Sequence, residues 1–232
     1  MKVRFAKNTP WREHFYVANC YRWECVPDFI EEDDHIVNRR SDGIATGFEN
    51  ASLILKEPFH SDTHIEMACS FDAWGAPLIV LADALEQDEK GRLRYREYYE
   101  VVLYEEGVNV WRLSTDEGNT VTWKKIMSVD FPVSPKEIHT LTVDVIDGTL
   151  EITACGRKMS VLLPDMFPSY FVGIDACENI NRFYALEASP IGKAAGKTYA
   201  CSFCGYRHTG DAPPLRCPDC GVGPEKFNLC EE

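Results

Sequence analysis

The chain has 232 residues, 45% of them hydrophobic and 26% charged, which is a globular composition with enough apolar and aromatic material for a core. Its formal net charge of −13 argues against non-specific binding to nucleic acid or anionic lipid, and neither is expected as a partner. No apolar run reaches the length of a membrane span, and residues 1–10 lack the apolar core of a signal peptide. Four basic and five acidic residues follow Gly196, so nearly all of the acidity belongs to the larger N-terminal part.

Residues 1–27 are rich in aromatics (Trp11, Phe15, Tyr16, Tyr21 and Trp23) without a clean period, and read as an N-terminal strand or wrap over the core. Phe29 to Val37 reads as strand, acidic turn, strand. Strands then follow at Ser52 to Lys56 and, with strict alternation, at Thr63 to Phe71. The apolar run Pro77 to Ala82 predicts a more deeply buried strand, and Gln87 to Arg96 a charged loop.

Two hairpins carry most of the remaining pattern. In the first, Tyr98 to Tyr104 and Val108 to Leu113 flank Glu105-Glu106-Gly107. A three-residue loop with Gly107 in the left-handed region pairs Tyr104 with Val108 and sets Glu100 opposite Arg112. In the second, Leu141 to Ile146 and Thr149 to Ala154 flank Asp147-Gly148, a dipeptide suited to two positive-φ positions. That turn sets Asp144 opposite Glu151, with Thr142 and Thr153 beside them. Tyr170 to Asp175 and Arg182 to Leu186 close the series.

No long segment before residue 190 has a helical period. The expected class is therefore all-β, with roughly ten to thirteen strands in two packed antiparallel sheets over residues 1–190. Small residues at 191–197 read as a linker to a second domain at 198–232.

The ten cysteines, in a chain without a signal-like start, read as reduced thiols of a cytoplasmic protein. Cys69, Cys155 and Cys177 sit singly in strand-like runs, where a free thiol behaves as a small buried hydrophobe. Cys20, Cys25 and Cys230 carry no assignment. The other four form two knuckles, Cys201-Ser-Phe-Cys204-Gly205 and Cys217-Pro-Asp-Cys220-Gly221. Thiolates two residues apart on a tight turn can face one ion, and the Gly after each pair lets the turn close with φ > 0. Two such turns offer four thiolates to one Zn²⁺ or Fe ion, with Tyr199, Tyr206 and Phe227 as the expected aromatic shell. So short a segment depends on its metal for folding free energy, on the order of 10 kcal/mol or more. All four positions are filled by protein, so this metal activates no water.

These residues resemble the rubredoxin-like domain at the C-terminus of rubrerythrins. The shared features are Tyr199 before the first knuckle, Cys-x-x-Cys-Gly-Tyr, Gly210 before Pro213-Pro214, Cys-Pro-x-Cys-Gly and Phe227. The resemblance covers about residues 198–230 and implies a single iron held by Cys201, Cys204, Cys217 and Cys220 that passes electrons. Rubrerythrin's di-iron helical bundle has no counterpart upstream. The strand spacing, the Asp-Gly hairpin and the closing segment Gly173 to Tyr184 resemble the concanavalin A-like lectin/glucanase jelly roll over about residues 25–188. That resemblance implies carbohydrate binding or cleavage on a concave sheet; the Glu-x-Asp-x-Glu strand motif of laminarinase-type glucanases is missing.

In the pairing read above, Tyr98, Glu100, Arg112 and Ser114 share one face, and Val101, Leu103, Trp111 and Leu113 the other. The first set combines rings and charges of the kind that recognise sugars. Glu178, Asn181, Arg182 and Tyr184 form a polar cluster in an otherwise apolar stretch. The expected ligand-binding residues are thus Tyr98, Glu100, Arg112, Asn181, Arg182 and Tyr184, and Glu100, Arg112 and Glu178 are the catalytic groups to test. Trp74 and Trp123 stand at loop-like places from which they can line a sugar site. Asp144 and Glu151 have the arrangement of a retaining glycosidase pair, roughly 5 Å apart, or of a hard-cation site, although solvated strand carboxylates are the commoner case. His60, His64, His139 and His208 carry no assignment.

The leading expectation is a carbohydrate-recognising binding protein or accessory subunit with a metal-stapled module. A glycoside-processing enzyme, resembling jelly-roll glycoside or 3-keto-glycoside hydrolases, is the second, and an Fe(Cys)4 electron carrier the third. A protein partner or a second copy of the chain remains open.

Overall fold

The computed structural model describes residues 1–21, 29–38, 52–60, 62–163, 165–192, 197–210, 213–214 and 216–230. Trp23, Cys25 and residues 193–196 of the expected linker lie outside that set. The chain divides into two units, Met1–Pro190 and Ile191–Glu232.

The first unit is built from seventeen strands, more than the pattern suggested. They begin with β1 (Lys2–Arg4), β2 (Phe15–Cys20), β3 (Ile30–Glu31), β4 (Ile36–Val37), β5 (Ser52–Leu55), β6 (Thr63–Phe71) and β7 (Ala76–Ala82). Next come β8 (Glu86–Gln87), β9 (Leu93–Tyr95), β10 (Glu97–Tyr104), β11 (Gly107–Thr115) and β12 (Val121–Asp130). The series ends with β13 (His139–Ile146), β14 (Thr149–Ala154), β15 (Arg157–Leu162), β16 (Phe171–Cys177) and β17 (Asn181–Pro190).

Eight strands form one sheet in the order β15-β14-β13-β6-β17-β4-β3, with β1 also on β17. Nine form the other, in the order β12-β11-β10-β7-β16-β5-β2-β9-β8. Alternation places Ile65, Met67 and Cys69 of β6 and Leu141 and Val143 of β13 in one core with Ile79, Leu81, Val101, Leu103, Val172 and Ile174 of the nine-stranded sheet. A second apolar cluster lies on the other face of that sheet and includes Ile54, Leu78, Val80, Ala82, Tyr95, Tyr98 and Leu113. β7 is therefore buried along its whole length, as its unbroken apolar run implied.

Three departures from the sequence reading have identifiable causes. The charged stretch 87–96 contributes β8 and β9 instead of a plain loop, because β9 pairs in parallel with β2. Trp123 stands in β12, a mostly exposed edge strand whose residues alternate too weakly in hydrophobicity to be recognised. Cys155 is exposed at the turn between β14 and β15, not buried in a strand.

The fourth departure is a change of register. Tyr104 pairs with Gly107, so Glu100 lies opposite Trp111, and Arg112 lies opposite Tyr99. Only Glu105 and Glu106 form the turn; Gly107 belongs to β11 and pairs with Asp130 of β12 as well. Its φ of 139° excludes other residues, and a Cβ there would drive into the Val129 carbonyl oxygen. A slip of one residue exchanges the faces of a strand, which moves Arg112 to the side opposite Glu100. The Asp147-Gly148 hairpin keeps the expected register, with φ of 47° and 76°, Asp144 opposite Glu151 and Thr142 opposite Thr153.

The second unit holds a three-stranded sheet, β19-β18-β20, made of β18 (Lys197–Cys201), β19 (Arg207–Gly210) and β20 (Phe227–Leu229).

Gly107→Ala tests the pinned register. It is expected to lower unfolding free energy by about 2 kcal/mol or more, read from urea midpoints at unchanged m-value.

Candidate functional site

The outward face of the nine-stranded sheet carries an apolar floor with a few polar groups set into it. Strand alternation brings Tyr98 and Glu100 of β10 to this face, beside Leu113 and Trp111 of β11. Trp123 of β12 stands opposite Leu113 and is 42% exposed. Its ring meets that of Trp111 edge-on at 6.4 Å, and the Lys125 ammonium lies 4.8 Å from the Trp111 ring centre.

Asp175 of β16 joins the same face. The Tyr95 hydroxyl donates to Ser52 Oγ (2.6 Å), and Ser52 donates in turn to Asp175 Oδ2 (2.6 Å). The Ala176 N–H donates to the other Asp175 oxygen at 2.7 Å. Asn19, Cys20, Tyr95, Tyr98, Glu100, Trp123, Asp175, Ala176 and Cys177 enclose a cavity of about 30 Å³. A water or a single hydroxyl group fits such a space, and a sugar ring does not.

Glu100 differs from Asp175 in having no donor among the described residues. Among the described residues nothing hydrogen-bonds to or ion-pairs with its carboxyl. As a residue Glu100 is half-buried, and its side chain lines the small cavity. Burial, with the Asp175 charge second, raises the carboxyl from 4.5 to about 8. At neutral pH it is a carboxylic acid that can donate one hydrogen bond. Burial likewise pushes Tyr95, Tyr98 and Cys177 upward, so these three stay neutral.

The remaining expected ligand-binding residues lie elsewhere. On the core-side face, Arg112 donates to the Tyr99 hydroxyl (3.1 Å), Asp165 (3.0 Å) and Glu97 (3.2 Å), with its guanidinium 5.4 Å from the Tyr99 ring centre. Asn181, Arg182 and Tyr184 belong to β17 in the eight-stranded sheet. Asn181 Nδ2 donates to the carbonyls of Cys177, Glu178 and Asn179, which ties the turn before β17. Arg182 pairs with Asp72 at 3.0 Å, and Tyr184 bonds Ser70 at 3.0 Å. Glu178 is exposed in that turn with φ of 58°. Of the expected set, only Tyr98 and Glu100 lie on the outward face of the nine-stranded sheet. Asp175, Ser52 and Tyr95 were missed, although a lone carboxylate inside the apolar run Phe171–Cys177 was a visible signal. His64, left unassigned, bonds Asp144 at 2.6 Å across β6 and β13.

In the second unit, the knuckles close through Gly205 N–H to the Cys201 carbonyl (2.9 Å) and Gly221 N–H to the Cys217 carbonyl (2.8 Å), with both glycines at positive φ. The four sulfur atoms lie within 4.8 Å of one another, with Cys201–Cys220 at 3.7 Å and Cys204–Cys217 at 3.5 Å. A tetrahedral ion with metal–sulfur bonds of ~2.3 Å needs sulfur separations of ~3.8 Å, so the donor set fits zinc or iron. Burial opposes ionisation of Cys201, but N–H groups of Cys204 and Phe203 outweigh it and hold the thiol at about 7. At Cys204 the Tyr206 N–H favours the thiolate, but burial and the neighbouring sulfurs win and push the thiol up to about 12. Without an ion the cluster thus keeps protons that a metal must displace. Tyr199, Tyr206 and Phe227 pack around the cysteines, as the sequence suggested.

Residues 199–228 match the family model of the rubrerythrin, rubredoxin-like domain. Residues 199–228 of the second unit form a rubredoxin-like domain with four cysteines. No curated protein matches the chain in sequence. Among solved structures, the chain is similar to a carbohydrate-binding module from Bacillus subtilis, at 11% identity and a TM-score of 0.51 over 75% of this chain and 99% of that one. A β-porphyranase from Bacteroides plebeius matches at 10% identity and a TM-score of 0.54, over 82% and 90% of the two chains. A GlcNAcα1-4Gal-releasing endo-β-galactosidase from Clostridium perfringens matches at 10% and 0.52, over 89% and 66%. The first unit is an all-β jelly-roll sandwich of the kind found in such proteins. At about a tenth identity the likeness is one of fold.

Two predictions follow from this geometry. Between 4.5 and about 8 the folded state keeps a proton on Glu100 that the unfolded chain releases, so its contribution to stability is full below 4.5 and lost as pH rises through 8. Glu100→Gln is expected to flatten the alkaline decline in urea midpoint measured from about pH 5 to about pH 9. Stripping the metal with a strong chelator is expected to abolish hydrogen-exchange protection at residues 197–230 while the strands of the first unit keep theirs.

Proposed function

We propose that the protein recognises carbohydrate on the outward face of its nine-stranded sheet, as a binding protein or accessory subunit. The observation that carries this reading is the carboxyl of Glu100, which has no partner among the described residues and is set in an apolar floor beside the exposed ring of Trp123. A sugar presents apolar C–H faces and a fringe of hydroxyls. The Trp123 ring suits the former, and a neutral Glu100 donor near the Asp175 acceptor suits the latter. One hydroxyl enters the water-sized cavity, and the ring of the sugar stays outside it.

A glycoside-processing enzyme is the second reading, favoured by the same carboxyl, since a protonated acid near neutral pH is what glycosidic bond cleavage asks of a proton donor. The rubredoxin-like module serves as a fastener or docking element, with zinc as the resident ion, and its closed shell leaves no position for a substrate. The unbridged thiols of Cys69, Cys155 and Cys177 suit a reducing, cytoplasmic compartment.

Glycan-array binding tests the first reading. Trp123→Ala and Glu100→Gln are each expected to weaken wild-type binding at least tenfold, or about 1.4 kcal/mol, with the fold intact. A wild type that binds no glycan defeats it, and product release from a panel of ordinary and oxidised glycosides selects the enzyme instead. Metal analysis with an absorption spectrum decides the module: a colourless zinc protein supports the fastener, and a red, reducible iron protein an electron carrier.

A further inference from the structure

Cys155 occupies the first corner of the β14–β15 turn with φ of 49°, followed by Gly156 at 72°. Asp147-Gly148 adopts the same geometry one hairpin earlier. Such corners suit Asp, Asn or Gly, and a thiol lacks the local hydrogen bonding that makes Asp or Asn the usual occupant. The thiol is exposed, and its Sγ lies 3.6 Å from Nδ1 of His139 on β13. His139 is itself held, because its Nε2 lies 2.7 Å from the Ser134 carbonyl oxygen. A carbonyl only accepts, so Nε2 carries the ring proton, and neutral Nδ1 presents a lone pair to the thiol. Nucleophile, base and orienting acceptor thus stand in the order that lets a cysteine lose its proton as it attacks.

The surroundings keep the resting Cys155 protonated. Burial and Glu137 push the Cys155 thiol up, and Arg157 pulls it down less strongly. Cys69, opposite His139 on β6, is fully buried, and burial holds its thiol far above the ordinary range. Among the described residues the other exposed cysteine, Cys204, belongs to the metal set.

We propose that Cys155 and His139 form a base-assisted reactive thiol that small hydroperoxides oxidise, independently of the carbohydrate reading. The thiol proton passes to His139 Nδ1 as sulfur attacks the outer peroxide oxygen. An S–O bond forms and the O–O bond breaks. The departing hydroxide or alkoxide takes the proton back from His139. Sulfur is oxidised by two electrons to the sulfenic acid, and the peroxide is reduced to water or an alcohol. A peroxide uses both halves of this shuttle, since its leaving group needs the proton that the base has just accepted.

The test uses the full, metal-loaded chain treated with hydrogen peroxide and a cyclic 1,3-diketone trap, with peptide mass spectrometry to locate the adduct. Cys155 is expected to be trapped first. His139→Asn is expected to slow its trapping about tenfold at neutral pH, with the two rates converging at alkaline pH, where the thiolate forms without a base. Trapping of Cys155 no faster than that of free glutathione overturns the proposal, and so does a His139→Asn rate equal to wild type at every pH. If His139→Asn does not fold, Glu137→Gln is expected to speed the reaction and Arg157→Ala to slow it. Unchanged rates in both overturn the proposal equally.

Discussion

The pairing of β10, β11 and β12 turns on the backbone at Gly107, where φ of 139° and the missing Cβ let the chain enter β11 directly after a two-residue turn. The turn is clamped from outside, since the Glu105 and Glu106 carbonyls accept from Val133 and Phe131 N–H groups at 2.9 and 2.8 Å. A one-residue slip along β10 would send Tyr98 and Glu100 into the central core and bring Tyr99 and Val101 out. An unpartnered carboxyl in that core costs several kcal/mol, so the register is strongly specified. The composition of the outward face depends on this one corner.

Given that register, burial on both sides of the sheet determines what its polar groups can be. Glu100 stands in a row with Val80 and Trp111, and Asp175 beside Leu78. The two carboxyls solve the same desolvation problem differently. Asp175 accepts from Ser52 Oγ and the Ala176 N–H, the kind of donors that stabilise a charged oxygen. Glu100 has none among the described residues and stays protonated through neutral pH. Environments that separate two carboxyl groups in this way provide a donor and an acceptor within one small face, which is the requirement of a polyol ligand and equally of acid–base chemistry.

The sequence disclosed the parts governed by local rules. The strict alternation of Thr63–Phe71 announced a strand with one face in the core, and Asp147-Gly148 fixed its hairpin because its φ values are intrinsic to those residues. The tetrathiolate was legible for the same reason, since each knuckle is a local turn. The candidate site was legible at Tyr98 and Glu100 and at the ring of Trp123, although Trp123 was expected in a loop and stands in β12. Its other members, Ser52, Tyr95 and Asp175, come from three different strands and meet through pairings with long separations in the chain. The Arg112 error was a local rule misapplied, because a glycine after a turn can be the last loop residue or the first strand residue. Contact with β12, thirty-odd residues from the start of the hairpin, decides between them.

Hairpin corners also separate residues that serve the fold from residues that do not. Asp147-Gly148 and Cys155-Gly156 share a backbone conformation, yet only the first has the side chain that the conformation prefers. At Glu105-Glu106-Gly107 the exceptional residue is explained by packing against Val129. Nothing in the packing calls for a cysteine at position 155, where the side chain is exposed and the strand ends at Ala154. What the position does supply is an oriented imidazole at hydrogen-bonding distance. The same reasoning applies to Glu100, a carboxyl that burial makes costly and that no described neighbour compensates. In both places the local rule is broken without a structural return, and in both the side chain offers a proton to transfer.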